Sequence, residues 1–540
     1  MTLQTHDPAT SPWHLRARPG RRVVVIGGGV GGLAAAVRLA ARGVAVTLLE
    51  KNPRLGGKLN LWEAPHPHRT DDRPFRFDTG PSLLTLPFVF QDLFKAAGFD
   101  ARDMLPITPL APVSRFVWAD GQTFELSSDE ERMLAEVRRF APDDEAGFTR
   151  FYDYGRNIWN LAGELFLAQA PEQIIKRGDL SPMQGLAMAS TPFRIGMFKR
   201  FHAVVDKHIR SQRLREVLYQ YATYSGASPF KAPATLAVIP YAELHFGGWY
   251  PVGGMYRIAE ALAEVAKRLG VDVRTEAPVR RILIEKTTAG RKTQRRAVGV
   301  ELDTGERLDA AAVIANADVV YTYRKLIDPE HRPHYPDDKL DRLEPGGSGM
   351  VLLLGVEGTY PQLAHHTKFM PEDYTSDLRA MFDNHTVPDD PCIYVAASTR
   401  TDPTQAPQGC ENLFVLASAP AIAGPGRKVD WARQAPQYRD KLVHMLEHRF
   451  GLTDLANRIV VEKSWCPMDL LHTYNANAGS IYGIGSNSRM QAFLRPPNRD
   501  KAVSNLFFCG GATHPGGGLP LVALSGKIAS EMAEEEVVGH

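Results

Sequence analysis

The chain has 540 residues, 44% hydrophobic and 23% charged, the make-up of an ordinary globular protein too long for one core, so two or three lobes are expected. Its 63 Lys and Arg against 61 Asp and Glu leave a formal net charge of +2, which gives no argument for a nucleic-acid partner. Cys392, Cys410, Cys466 and Cys509 include no CxxC pair and no zinc-spaced cluster, so neither a disulfide framework nor a metal is expected, and no apolar run is long enough to span a membrane.

Residues 1–20 are polar, broken by Pro8, Pro12 and Pro19, and read as a flexible tail without a secretory signal. A cytoplasmic location is therefore expected. "RRVVVIGGGVGGLAAAVRLAARGVAVTLLEK" then reads in order as strand, tight turn, helix, helix stop and strand. Val23 to Ile26 form the β-branched run of a buried parallel strand, and Gly27, Gly29 and Gly32 follow at GxGxxG spacing. The helix runs from Leu33 through Leu39 to a stop at Gly43, and the strand Val44 to Leu49 ends in Glu50. Glycines permit the turn and the approach of a pyrophosphate, the helix N-terminus offers N–H groups, and the carboxylate accepts ribose hydroxyls. Strand, helix and acid together predict a dinucleotide site.

"NPRLGGKLN" adds a second diglycine, Gly56 and Gly57, with Arg54 and Lys58 around it, and "FDTGPSLL" follows with Gly80 and Pro81. These segments resemble the extended fingerprint of the amine oxidase and phytoene desaturase group of flavoproteins. The position of Lys58 typically holds arginine there, so a flavin phosphate contact keeps its charge but loses the guanidinium fork. The segment near the flavin is matched by Gly80 and Pro81.

Residues 96–250 turn helix-rich and aromatic, with no nucleotide motif. "MYRIAEALAEVAKRLG" brings back an amphipathic helix, with Ile258, Leu262, Val265 and Leu269 on one face, and the strands of "VDVRT", "VRRILIE" and "AVGVELDTGERLDAAAVIANAD" come after it. The chain leaves again after Asp318 and returns at "NLFFCGGATHPGGGLPLVALSGKIASEM", where a strand, a glycine-rich turn and a helix from about Pro520 are expected to face the flavin. The fold expected is α/β, with a discontinuous Rossmann-type FAD-binding domain. Its parts are 21–95, 251–320 and 466–540, interrupted by an α+β substrate lobe at 96–250, with a helical membrane-facing part, and at 321–465.

In order from about residue 20 to 535, "GGGVGGLAAAVRLAARG", "SPFKAP", "YPVGGM", "NADVVYTYR", "QLAHHT", "FLRPPNRD", "NLFFCGGATHPGGGLP" and "SGKIA" resemble the bacterial phytoene desaturase family of carotenoid biosynthesis. The resemblance implies FAD, a lipophilic polyene substrate, and C=C formation by hydride transfer to flavin with proton loss. It places the backbone of Val279 at the adenine end and Gly511, Thr513 and Pro520 in the flavin-facing turn. It also points to Asp153 and Arg156 in "RFYDYGR", neighbours on one helical face, as an acid–base pair; an ordinary surface ion pair is the other reading. His245 and His514 read as a packed and an orienting imidazole.

Between Trp159 and His208, Lys176, Arg177, Arg194, Lys199, Arg200 and Lys207 interrupt apolar stretches, as in a helix lying on an anionic membrane surface. Peripheral attachment to the inner face of the membrane is expected, with oxygen or a quinone as electron acceptor. "IYGIGSN" departs from the best-known family members by lacking an acidic residue, and is similar to desaturases of diapocarotenoids or hydroxylated carotenoids. A late-pathway hydroxycarotenoid desaturase, an amine oxidase and a prenyl-binding escort protein stand as alternatives.

Overall fold

Val23–Ile26 is completely walled in: all four residues are buried, with a parallel neighbour on each side. A computed structural model describes residues 22–70, 73–163, 191, 194–289, 292–422, 429–488 and 495–538. Its five-stranded parallel sheet runs in the order Leu506–Phe508, Ala312–Ala315, Val23–Ile26, Val46–Leu49 and Asp272–Arg274. Helices cover both faces of such a sheet, and that is why its central strands are continuous apolar runs. Strands distant in sequence thus build one Rossmann-type domain, discontinuous in the chain.

The helices over this sheet fit their patterns. Arg257–Arg268 buries Ile258, Leu262 and Val265, while Leu269, expected on the same face, is only partly covered beyond the helix end. Leu519–Val538 begins one residue before Pro520, so the proline stands in the first turn, where a missing N–H costs nothing. It crosses the first helix, Val30–Ala41, so closely that a Cβ on Gly526 would stand 2.3 Å from the Gly31 carbonyl oxygen.

The inserted lobe is built on a seven-stranded sheet, in the order Ile459–Trp465, Ser348–Glu357, Cys410–Ala419, Ile393–Ala396, His366–Phe369, Ser114–Val117 and Thr123–Leu126. The last two strands fall in the stretch expected to be helix-rich. "SRFV" and "TFEL" do alternate buried and half-buried residues, but four residues of period two are too short to stand out. One sheet face packs under the Trp431–His448 helix through Leu352, Val395 and Val415. The other meets Phe75 and Phe77 of the nucleotide domain. Glu145–Ile158, Phe201–His208, Gln212–Thr223 and Val238–Phe246 form the helical part around a common apolar core. Among the described residues no helix is long and apolar enough to cross a membrane. Lys176 and Arg177 of the expected membrane-facing stretch lie outside the described residues.

Candidate active site

The first glycine turn leaves a helix end open. Gly29 occupies the N-cap of Val30–Ala41 in extended backbone, with no side-chain cap and no acidic residue in the first turn. The first N–H groups therefore have no partner within the helix and suit an anion. A Cβ on Gly32 would lie 2.1 Å from the Gly27 carbonyl oxygen, so the turn closes only around glycine. Buried Glu50 accepts from the Gly28 N–H at 2.8 Å and the Asn52 N–H at 2.9 Å. Its two oxygens keep lone pairs for a further donor. Asn316, at the end of the neighbouring strand, donates to the Gly27 carbonyl at 3.1 Å.

The second glycine pair lies against the first. Gly29 and Gly56 form a parallel bridge, and a Cβ on Gly57 would approach the Gly29 Cα at 3.1 Å. Gly80 is pressed on the same loop: a Cβ there would be 2.0 Å from the Lys58 carbonyl oxygen, and half-buried Pro81 follows it. Lys58 Nζ donates to the Ser480 carbonyl at 2.9 Å and the Ile481 carbonyl at 2.6 Å. Burial pushes the Lys58 ammonium down to about 8, against the opposing attraction of Asp318. Burial likewise pushes the Asp318 carboxyl up, so both groups are driven toward their neutral forms. Val279 opens a strand two residues after Ala277, whose N–H donates to the Glu50 carbonyl at 2.9 Å.

The second strand–turn–helix is knitted mostly by side chains that the sequence did not single out, Thr513 apart. Asn498, from "RPPNRD", donates through Nδ2 to the Phe508 carbonyl at 3.1 Å and the His514 carbonyl at 3.0 Å. Ser525 Oγ donates to the same His514 carbonyl at 2.7 Å and accepts from the Gly510 N–H at 3.1 Å. Thr513 Oγ1 donates to the Gly510 carbonyl at 3.0 Å. Arg495 reaches the Gly511 and Ile484 carbonyls at 3.3 and 3.2 Å. Gly510, Gly516 and Gly518 take φ of 107°, 135° and 110°, backbone that favours glycine.

Three tyrosines lie near this turn and the large sheet. Tyr224, Tyr394 and Tyr482 sit deep in the molecule, where burial raises each phenol, yet each keeps part of its surface uncovered. Tyr482 closes on the glycine turn, since a Cβ on Gly517 would lie 3.3 Å from its ring. The Tyr394 hydroxyl is 2.5 Å from Ser82 Oγ and 2.6 Å from His366 Nδ1. Half-buried Leu416 stands beside Tyr394 on the adjacent strand.

A model of the family described as flavin containing amine oxidoreductase matches residues 30–532. The chain belongs to that family. Its cofactor is FAD, and an open helix N-terminus, a glycine cradle and a buried carboxylate fit such a group. The flavoprotein is 37% identical over 517 residues to a 4,4'-diapolycopene oxygenase of Methylomonas sp, covering 96% of this chain and 99% of that one. It is 33% identical over 515 residues to a 4,4'-diaponeurosporene oxygenase of Staphylococcus haemolyticus, covering 95% and 96%. A cyclohexylamine oxidase from Brevibacterium oxydans superposes with a TM-score of 0.57 at 17% identity, covering 96% and 99%, and shows the fold alone. So does a Rab GDI from Plasmodium falciparum, with a TM-score of 0.50 at 11% identity over 96% and 99%.

The remaining candidates of the flavoprotein lie in different settings. Asp153 and Arg156 pair at 2.9 Å on the Glu145–Ile158 helix, both about half-exposed, with Arg156 also over the Tyr152 ring at 5.1 Å. His245 is exposed and stacks on Tyr241. His514 is buried in the glycine turn, its carbonyl fixed by Asn498 and Ser525.

Proposed function

We propose that this FAD-dependent oxidoreductase acts on a long acyclic carotenoid, removing a hydride from an allylic carbon near the chain end; water then adds to that carbon and loses a proton to give an alcohol, or a proton leaves the neighbouring carbon to give a C=C bond. The half-buried Tyr224, Tyr394, Tyr482 and Leu416 near the glycine-rich turn carry this reading, because partly uncovered aromatic and aliphatic side chains deep in the molecule suit an apolar chain. The full-length similarity to two named diapocarotenoid oxygenases supports oxygenation at the terminal carbon. Desaturation within the chain is the second reading, supported by "SPFKAP", "RPPNRD" and "THPGGGLP".

Bound FAD would supply the hydride acceptor, and the protein contributes position and limits which water reaches the reacting carbon. Gly27, Gly29 and Gly32 with the open helix end hold the pyrophosphate, Glu50 the ribose and the Val279 backbone the adenine end. The middle of the cofactor is held by Gly57, Lys58, Gly80 and Pro81, and its flavin end by Gly511, Thr513 and Pro520. Tyr394 and Tyr482 wall off the reacting end. The enzyme attaches peripherally to the inner face of the membrane, where such a substrate dissolves, and passes its electrons to oxygen or a quinone.

Liposomes carrying diapophytoene-type or phytoene-type hydrocarbons, or their hydroxylated derivatives, are supplied to FAD-loaded protein and the products are read by chromatography and mass. Gain of an oxygen at the chain end supports the first reading. Loss of two hydrogens with a red-shifted polyene supports the second. Loaded protein that turns over none of the polyenes overturns both.

A further inference from the structure

A charge taken into the interior is normally paired with an opposite one, because an unpaired buried ion is costly. Arg495, beside the second glycine-rich turn, is an exception. Its guanidinium offers five N–H donors. The partners it has are neutral: Nη1 donates to the Gly511 and Ile484 carbonyls at 3.3 and 3.2 Å, and Nη2 to Ser486 Oγ at 2.9 Å. Among the described residues no carboxylate lies within ion-pair distance of it. Burial alone acts on the guanidinium, pushing it down to about 10, so it is still a cation at neutral pH.

The guanidinium packs against the turn, since a Cβ on Gly516 would stand 3.4 Å from Nε. It is not sealed there. Arg495 keeps part of its surface uncovered, as do Gly511 and Gly517 of the turn and Tyr482 against them. The Leu519–Val538 helix that follows has no acidic residue in its first turn, so nothing on that side balances the charge. Hydride transfer creates the missing negative charge. The substrate C–H bond breaks, and both its electrons leave with the hydrogen to form a bond on the flavin ring. A neutral flavin thereby becomes an anion, while the carbon left behind becomes cationic. Fixed positive charge near a group that turns negative stabilises it with little reorganisation.

We propose that Arg495 is the counter-charge for the reduced flavin, so that the protein binds the reduced cofactor more tightly than the oxidised one. This rests on the reading of Gly511, Thr513 and Pro520 as the flavin end of the site, and adds the group that tunes the redox balance there. A difference in affinity for two states shifts the equilibrium between them by the same factor. The midpoint potential of the bound flavin therefore lies above that of free FAD.

The midpoint potential of FAD-loaded protein is read against a reference dye during slow reduction, and affinity for oxidised FAD by quenching of flavin fluorescence. The wild type is expected above free FAD, and a potential at or below it overturns the proposal. Arg495→Gln removes the charge and keeps N–H groups for the neighbouring carbonyls. It is expected to lower the ratio of reduced to oxidised affinity at least about tenfold, a drop of about 30 mV for a two-electron couple, with oxidised affinity kept within about threefold. Arg495→Lys keeps the charge and is expected to hold the ratio within about threefold. A merely structural guanidinium, needed only to fix the Gly511 and Ile484 carbonyls, weakens both redox states together and leaves the potential of Arg495→Gln unmoved. That result overturns the proposal, as does an equal fall in Arg495→Lys. Should Arg495→Gln fail to fold, the wild-type potential and Arg495→Lys decide. Polyene oxidation with an unmoved potential in Arg495→Gln removes the counter-charge and leaves the reaction standing; a shifted potential without any product does the reverse.

Discussion

Gly29 and Gly32 stand three residues apart and are constrained differently. Gly32 is locked by the backbone of its own turn, where a Cβ would stand 2.1 Å from the Gly27 carbonyl. Gly29 has φ −68° and ψ 172°, backbone open to any residue, and a Cβ there would meet only the end of the Asn316 amide at 3.0 Å, a side chain that can shift. Gly29→Val is therefore expected to leave a folded apoprotein that has lost the flavin absorbance near ~450 nm after loading. Gly32→Ala is expected to destabilise the apoprotein itself by about 1–3 kcal/mol, read by denaturant unfolding. Retention of flavin by the Gly29 variant at normal occupancy would displace the pyrophosphate from this turn. Asp153 poses a different question, because its partner Arg156 is one turn away and both are half in solvent. Such pairs contribute about 0.3–0.5 kcal/mol. Asp153→Asn is expected to change kcat by less than about twofold; a loss of about a hundredfold would return the pair to acid–base chemistry.

The loop bearing Lys58 is an element whose stability depends on pH. Folded Lys58 loses its proton near 8, whereas the unfolded chain holds it to 10.5. Between those values the unfolded state binds more protons, so the apoprotein gains stability as pH rises through this window. Lys58→Met is expected to lose that gain relative to the wild type in thermal melts from pH 8 to 10. The neighbouring elements differ in how far they can be read from sequence. The Gly27–Gly32 turn is legible because glycines, strand, helix and Glu50 are contiguous and each has a local cause. The same holds for Arg257–Arg268, where a full helical period repeats over twelve residues. Ser114–Val117 and Thr123–Leu126 escape notice because a strand of four residues carries two apolar positions, which any loop can match. Asn498 is silent for another reason, because its role depends on elements far away in the chain; Lys368 in "HHTKFM" likewise reads as a surface residue until the fold covers it.

At the scale of the whole molecule, an apolar groove opens at the surface. Leu84, Phe90, Phe94, Leu105 and Ile107 line a groove with Arg102 at its edge, and Leu84 lies two residues beyond Ser82. Phe88 and Val252 stand 40% and 52% exposed near it, Val252 donating its N–H to Pro106 of the groove at 3.0 Å. Exposed apolar side chains around a groove suit insertion among lipid acyl chains. The double variant Phe88→Asp, Val252→Asp is expected to reduce co-flotation with anionic liposomes at least about fivefold while keeping flavin content normal. Equal flotation of variant and wild type would move the attachment surface elsewhere.

The contact of Gly526 with Gly31 sets an order on assembly in the cell. The helix that opens at Gly29 leaves the ribosome early, and the helix that seals it follows after almost five hundred residues. At ~5–20 residues per second, roughly half a minute to a minute and a half separates the two. Throughout that interval the nascent Gly27–Gly32 turn lacks both its edge strand, Leu506–Phe508, and its covering helix. Cofactor capture is therefore the closing act of biosynthesis, and a chain released before Leu506 keeps the complete glycine fingerprint yet has no closed pocket in which to use it.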